Sequence, residues 1–277
     1  MEHEHTAPDT GTSTVSPQAC ANALRSLRES GPLVQCLTNI VVANWTANVL
    51  LAVGAAPAMV DNPHEADGFA RVSSAVLVNL GTPYDDTVAA MRAAVTGATA
   101  EGTPWVIDPV GAGGLPWRTE IARELLAAGS PSAIRGNASE IAGLMGGAGG
   151  RGVDSADDPE AAAQAAKLLA LQHDCVVAVS GEVDLITDGR DTVRIANGHE
   201  WLTKVTGVGC SLGALMAAFS AVSEGCLVAA TAATATLCVA AEDAAAVAGG
   251  PGSFAVALLD QLHVLSPERL AERVRLS

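Results

Sequence analysis

Aromatic side chains are scarce in this chain of 277 residues, where Phe, Tyr and Trp together make up 3%. Positive charge is scarce as well. Fifteen Lys and Arg stand against 30 Asp and Glu, a formal net charge of −15. Such a surface repels a polyanion, which argues against nucleic acid as a partner. Any phosphate must then be held locally, by Mg²⁺, by backbone N–H groups or by a single Arg. The six cysteines (Cys20, Cys36, Cys175, Cys210, Cys226, Cys238) form no CxxC pair and no Cys/His cluster. That argues against a disulfide framework or structural zinc, and reduced thiols in a cytoplasmic protein are the expectation. Met1 to Gln18 is polar and contains no apolar run of the signal-peptide kind. Residues 1–17 read as a disordered extension ahead of one domain, residues 18–277. The uncharged stretch Cys226–Ala241, about 16 residues, is short for a span and rich in Ala and Thr, so it reads as a buried helix and not a membrane one. No Walker-type GxxxxGKS or GxxxxGKT, no GxGxxG after the first strand with an acid about 20 residues on, and no HExxH occurs. His173, His199 and His263 stand alone and read as structural or exposed.

What the chain does have is apolar material, 49% of residues, with much Ala and 28 Gly. That is ample for a folded core. Short β-branched runs alternate with Ala-rich helical ones. Strands are expected at Leu33–Leu37, Ala75–Asn79, Trp105–Ile107, Ala133–Arg135, Val176–Ser180 and Val183–Thr187. Thr192–Ala196 reads as a hairpin partner across the turn Asp188-Gly189-Arg190-Asp191. Helices are expected at Pro17–Glu29, Val41–Val53, Asp85–Ala98, Glu120–Ala128, Ala138–Met145, Pro159–Gln172, Ser211–Ser223, Leu227–Val247 and Phe254–Leu262. Gly146 to Gly152 reads as a surface loop. The alternation implies an α/β fold in three layers, with a mostly parallel sheet between helices. Small residues would let the helices lie close to the sheet.

Ligands in such folds sit beyond the carboxyl ends of the strands, and the polar residues there carry the candidate chemistry. Thr206-Gly207-Val208-Gly209-Cys210-Ser211 precedes a helix-periodic run. Free N–H groups and the positive dipole end would make an anion hole, with the Cys210 thiolate favoured and its pKa lowered. A glycine turn with a small buried Cys is the competing reading. Asp108 ends a buried strand before Pro109 and a glycine loop; it could hold hydrated Mg²⁺ or form a turn. Asn137 and Glu140 lie three apart at a helix start, suited to metal contact, to a capping box, or to both. Arg135 is a candidate for a nucleotide phosphate. Ser180-Gly181 ends another strand with a small hydroxyl and room for close approach.

Six segments in this order resemble the hydroxyethylthiazole kinase family of the ribokinase-like superfamily: PLVQCLTN (Pro32–Asn39), TANVLLAVGAAPAM (Thr46–Met59), DPVGAG (Asp108–Gly113), IRGNASEI (Ile134–Ile141), SGEVD (Ser180–Asp184) and LTKVTGVGC (Leu202–Cys210). The resemblance implies transfer of a phosphoryl group from ATP to the primary hydroxyl of 4-methyl-5-(2-hydroxyethyl)thiazole in thiamine salvage. It implies substrate contacts from Met59, Asn39 and Gly207, and ATP contacts from Arg135 and Ser180. Asp108 and Glu140 would organise Mg²⁺, with Asn137 supporting. Gly207 to Cys210, including Gly209, would form the anion hole. Cys210 would act as base or alcohol-orienting group where most ribokinase-like kinases carry an Asp. A homotrimer is implied too, with the site at the subunit boundary and the Thr38–Leu51 segment as interface. This chain departs from the family pattern at Val208, where Thr is frequent, at Ser180, where Thr is common, and at Gln35, where His is frequent. The alternatives are a kinase of a related small alcohol, such as a hydroxymethylpyrimidine or a sugar, and a non-catalytic thiazole- or nucleotide-binding protein of the same fold.

Overall fold

The computed structural model describes residues 15–146 and 159–277. Along the chain run α1 (Pro17–Ser30), β1 (Leu33–Leu37), α2 (Ala43–Val53), β2 (Ala56–Ala58), α3 (Ala66–Val72), β3 (Ala75–Asn79) and α4 (Asp85–Glu101). They continue as β4 (Trp105–Asp108), α5 (Pro116–Ala128), β5 (Ala133–Asn137), α6 (Ala138–Leu144), α7 (Pro159–His173), β6 (Val176–Ser180), β7 (Asp184–Thr187) and β8 (Thr192–Ile195). A 3₁₀ turn at Glu200–Thr203 leads to α8 (Val208–Ser220), α9 (Cys226–Val247), α10 (Pro251–Val264) and α11 (Pro267–Arg273). The strands form one sheet in the order β2-β1-β3-β4-β5-β6-β7-β8. It is parallel from β2 through β6 and antiparallel from β6 through β8.

Strand alternation divides the core. Cys36, Leu77, Val106 and Ala178 face one apolar layer, built with α1, α2, α8, α9 and α10. Val76, Val78, Ile107 and Val177 face the other, with α3, α4, α5, α6 and α7. Each strand therefore points successive side chains to opposite helical layers, as the two-residue period requires. The expected three-layer α/β fold is the one observed. Helix α9 is long and apolar enough to cross a membrane, yet 78% of its apolar window is buried in this core.

The boundaries differ from expectation for local reasons. Helix α1 does begin at the expected Pro17, where the Ser16 hydroxyl accepts the Ala19 N–H at 3.1 Å and caps it, so the stretch read as an extension, residues 1–17, overlaps the helix by one residue. Residues 1–14 of that stretch, and Gly147 to Gly152 of the expected surface loop, lie outside the described residues. Strand β2 went unexpected because Ala-Pro-Ala carries no β-branched side chain; Pro57 is tolerated at a sheet edge, where its missing N–H needs no partner. Helices α3 and α11 span seven residues each, too few to show periodicity. Helix α8 starts at Val208 rather than Ser211, since Gly207 takes a left-handed φ of 88° at the cap.

Small residues do bring elements together. A Cβ on Gly213 of α8 would lie 3.0 Å from Leu77 Cδ1 in β3. A Cβ on Gly97 of α4 would lie 2.4 Å from the Asp67 carbonyl oxygen in α3. Alanine favours a helix interior over glycine by about 1 kcal/mol, but overpacking against a rigid backbone typically costs about 1–3 kcal/mol. The clash therefore wins. Gly97→Ala is expected to lower the melting temperature, and a variant at least as stable as the parent in thermal unfolding would contradict the α3–α4 contact.

Candidate active site

Parallel pairing lines up the carboxyl ends of the strands, so polar residues far apart in sequence meet. Asn79, the last residue of β3, is paired with Asp108, the last of β4. Asn137 is paired with Ser180 at the ends of β5 and β6. Asn39 lies just beyond β1, and Gly209 and Cys210 lie in the first turn of α8.

Asn79 is the hub, and it is completely buried. Its Nδ2 donates to Asp108 Oδ2 at 2.8 Å, and its Oδ1 accepts from Asn39 Nδ2 at 2.9 Å and from the Gly81 N–H at 3.0 Å. Asn39 Nδ2 also donates to Cys210 Sγ at 3.6 Å. From the other side Arg135 donates through Nη1 to Asp108 Oδ2 at 3.5 Å and through Nη2 to Ser180 Oγ at 2.9 Å. Gly209 makes room for this guanidinium, because a Cβ there would stand 2.7 Å from Arg135 Nη1. Gly207 is constrained twice, by its positive φ and by Val42 Cγ1, 2.8 Å from where a Cβ would be.

Burial pushes the Asp108 carboxyl up to about 7, and the nearby Glu140 charge adds to this, against the pull of Arg135 and Asn79. The same physics corrects the expectation for Cys210. Burial raises its thiol, and the charge of Asp108 raises it further; Asn79, Arg135 and Asn39 oppose this more weakly. The thiol therefore stays neutral in the ligand-free protein, despite its place at a helix start.

Glu140 and Asn137 do form a capping box. Asn137 Oδ1 accepts the Glu140 N–H at 2.9 Å, and Glu140 Oε2 accepts the Asn137 N–H at 2.9 Å. Glu140 Oε1 also accepts the Gly111 N–H at 3.0 Å, which ties the loop after Asp108 to α6. For a divalent cation the donors suit Mg²⁺. Asp108 Oδ1 is buried and lacks a hydrogen-bond partner among the described residues. No group of three or more His, Cys, Asp or Glu gathers among the described residues, so protein carboxylates would be few, with water and phosphate completing the shell.

Beyond Arg135 and Ser180 opens a cleft of about 900 Å³, lined also by Gly181, Asp184, Asn197, Gly198, His199, Leu202, Gly209 and Cys238. Asp184 Oδ1 accepts the Gly181 N–H at 3.0 Å, and its Oδ2 accepts from the Cys238 thiol at 3.4 Å. His199 is structural as expected: its Nδ1 accepts the Trp201 N–H at 3.2 Å, and its ring packs edge-on against Trp201. Met59 is the outlier. It follows the edge strand β2 and is 38% exposed, on the rim and away from the Asn79 network. In the neighbouring strand β1, Gln35 is fully buried and donates to the carbonyls of Val60 at 2.9 Å and Ala66 at 3.2 Å. Sequence reasoning missed Asn79 and Asp184 as site residues. Asn79 was legible as a polar residue closing an apolar strand, the signal that singled out Asp108.

The model of the hydroxyethylthiazole kinase family matches residues 24–268. The chain belongs to that family. A hydroxyethylthiazole kinase of Clavibacter sepedonicus is 56% identical to it, over 98% of both chains. A solved hydroxyethylthiazole kinase structure from Pyrococcus horikoshii OT3 is 40% identical, with a TM-score of 0.86 over 93% of this chain and 98% of that one. A ribokinase-like superfamily protein from Enterococcus faecalis V583, 11% identical, shares the fold at a TM-score of 0.61 over 90% of this chain and 94% of its own. The fold is thus ribokinase-like and the protein is a kinase, for which ATP is the implied co-substrate. The strand-end network is accordingly the place to look for phosphoryl transfer in this member of the family.

Asp108 also predicts a pH dependence. The folded chain keeps this proton up to pH about 7, whereas the unfolded chain releases it near the ordinary value of 3.8. Its contribution to stability is therefore complete below pH 3.8 and lost as pH rises through about 7. Asp108→Asn removes the titration. In EDTA and without nucleotide, the melting temperature of the variant relative to the parent should be higher at pH 8 than at pH 5. An offset that does not change with pH would contradict the assignment.

Proposed function

We propose that this protein transfers the γ-phosphoryl group of ATP to the primary hydroxyl of 4-methyl-5-(2-hydroxyethyl)thiazole, in thiamine salvage in the cytoplasm. The observation that carries the reading is the position of the first turn of α8. Gly209 borders the cleft beside Arg135, and Cys210, the next residue, is held by Asn39 at the end of β1. One helix start thus joins a cleft of nucleotide size to the end of β1, where this reading seats the acceptor alcohol.

In this reading the triphosphate lies along Arg135 and Ser180. The γ-phosphoryl group faces the N–H groups of Val208, Gly209 and Cys210, which as the opening residues of a helix lack intrahelical partners. Asp108 and Glu140 would hold Mg²⁺, with Asn137 fixing Glu140. The ion supplies neutralisation of phosphate charge. Met59 and Asn39 bound the thiazole, and Gly207 leaves space beside it. The hydroxyl oxygen forms the new O–P bond as the bond from the γ-phosphorus to the bridging oxygen breaks and ADP leaves. Cys210 orients the hydroxyl as a neutral thiol, then gives its own proton to solvent and, as the thiolate, takes the hydroxyl proton as that bond forms. Because the resting thiol is neutral, orientation comes first and the proton moves late, as suits a loose transition state dominated by positioning and charge neutralisation.

The exposed apolar residues Ile40 (79%), Val41 (61%) and Leu51 (58%) lie in the Thr38–Leu51 segment, on the sheet edge that carries Met59. Their exposure supports a homotrimer with the acceptor pocket at the subunit boundary. Light scattering should give a mass about three times the 27.8 kDa of one chain.

The decisive assay is ADP release with and without the thiazole. Stimulation that depends on the thiazole and Mg²⁺ is expected, with strong loss in Asp108→Ala. Normal nucleotide binding with no thiazole-dependent turnover would refute the substrate. For Cys210→Ala we expect kcat to fall about 10²-fold, within the usual range for a proton-transfer group, with recovery in Cys210→Asp.

A further inference from the structure

One wall of the cleft is made by Ala196, Asn197, Gly198 and His199, which follow directly on β8. Gly198 has a φ of 132°, outside the usual range for residues with a side chain. Its N–H donates to Glu242 Oε1 at 3.1 Å, and Asn197 Nδ2 donates to the same oxygen at 3.2 Å. Glu242 belongs to the last part of α9, behind the wall. It is also the anchor of the segment after α11: Arg273 Nη2 reaches Glu242 Oε2 at 3.1 Å, and Arg275 Nη2 reaches Oε1 at 2.7 Å. That segment returns to the wall. The Arg275 N–H donates to Asn197 Oδ1 at 2.6 Å, Asn197 Nδ2 donates to the Arg273 carbonyl at 3.0 Å, and the Ala196 N–H donates to the Arg275 carbonyl at 3.1 Å. Farther along, Arg194 and Ser277 exchange backbone hydrogen bonds at 2.8 and 3.1 Å, so the segment is bridged antiparallel to β8 at Ile195 and Leu276.

We propose that Glu242, with the Arg273–Ser277 segment it anchors, is a positioning residue that sets the Asn197–Gly198 wall of the nucleotide cleft. Two wall donors and two guanidinium groups converge on one carboxylate that is mostly buried. Removing it orphans the Gly198 N–H and leaves Asn197 Nδ2 only the Arg273 carbonyl, and a glycine at φ 132° has little else to hold its conformation. The proposal rests on ATP occupying this cleft. It predicts an effect confined to the nucleotide, because the Asn39 and Met59 side of the site shares none of these contacts.

Steady-state kinetics on the full chain test it, with ATP and the thiazole varied separately. Glu242→Ala is expected to raise the KM for ATP about tenfold, while kcat and the thiazole KM stay within about twofold. Glu242→Gln keeps a neutral acceptor for the Gly198 N–H and should recover most of the ATP KM although both ion pairs are lost. Should Glu242→Ala be insoluble, Glu242→Gln still decides, with a KM for ATP about threefold above the parent and an unchanged thiazole KM. Asp243→Asn serves as the structural control. Asp243 pairs with Arg269 and Arg273 but touches no wall residue, so its loss should lower the melting temperature without moving the ATP KM. An unchanged ATP KM in both Glu242 variants, or equal rises for ATP and thiazole, overturns the proposal. Ser180→Trp, which fills the cleft, separates the two readings. If it raises the ATP KM and the Glu242 variants do not, the brace alone is wrong. If it leaves the ATP KM unchanged, the cleft is not the nucleotide site and the proposal falls with it.

Discussion

The hydrogen bond from Asn79 to Asp108 holds the rest of the site in place. A fully buried carboxylate is costly unless it is paired and hydrogen-bonded. For Asp108, Asn79 on one side and Arg135 on the other offset only part of that cost, so burial still raises the carboxyl to about 7, and one oxygen lacks a hydrogen-bond partner among the described residues. The carbonyl end of the Asn79 amide in turn receives Asn39, which reaches Cys210. One short amide therefore couples the acidic centre to the acceptor side of α8. Parallel register makes this possible, because it sets Asn79 and Asp108 directly opposite each other at the strand ends.

The second constraint is space. An acidic chain has few cations to offer a polyphosphate, so it must present backbone N–H groups and a single Arg at close range. Gly209 lets Arg135 rest against the start of α8, and Gly207 lets the chain turn into that helix beneath Val42. Gly213 seats α8 on β3, so the helix start arrives at the strand ends. Packing and the proposed phosphate binding thus draw on the same small residues. Burial carries a consequence for chemistry as well. It keeps the Cys210 thiol protonated where a helix dipole alone would favour the thiolate.

Much of the architecture was legible along the chain. Strands β3 and β6 stand where β-branched runs end in polar residues, β1 is an apolar run that leads into Thr38 and Asn39, and the hairpin of β7 and β8 turns at Asp188-Gly189, whose Asp side chain accepts the N–H groups of Arg190 and Asp191. Strand β2 was hidden, because pairing to an edge needs no β-branched side chain. Helices α3 and α11 were hidden by their length. Within the site, Asp108, Arg135, Ser180, Asn39, Gly207, Gly209 and Cys210 were legible as strand-end or helix-start residues, and they do gather. Asn79 had the same signal but no charge to draw notice. Met59 sits on the exposed rim, and the acceptor pocket it bounds in the proposed reading belongs to the subunit boundary.

By itself the amino-acid order determined the fold class, the family and the identity of the polar strand ends. Those depend on local periodicity and on motif order, which one dimension contains. Protonation states, the second job of Glu140 on the loop after Asp108, and the brace on the cleft wall were decided only by the tertiary structure. Each depends on groups from distant segments sharing a low-dielectric space. The Cys210 thiol rises because Asp108 is nearby and water is absent, and Glu242 matters because Gly198 and Arg275 meet on one carboxylate. No spacing along the chain records those distances.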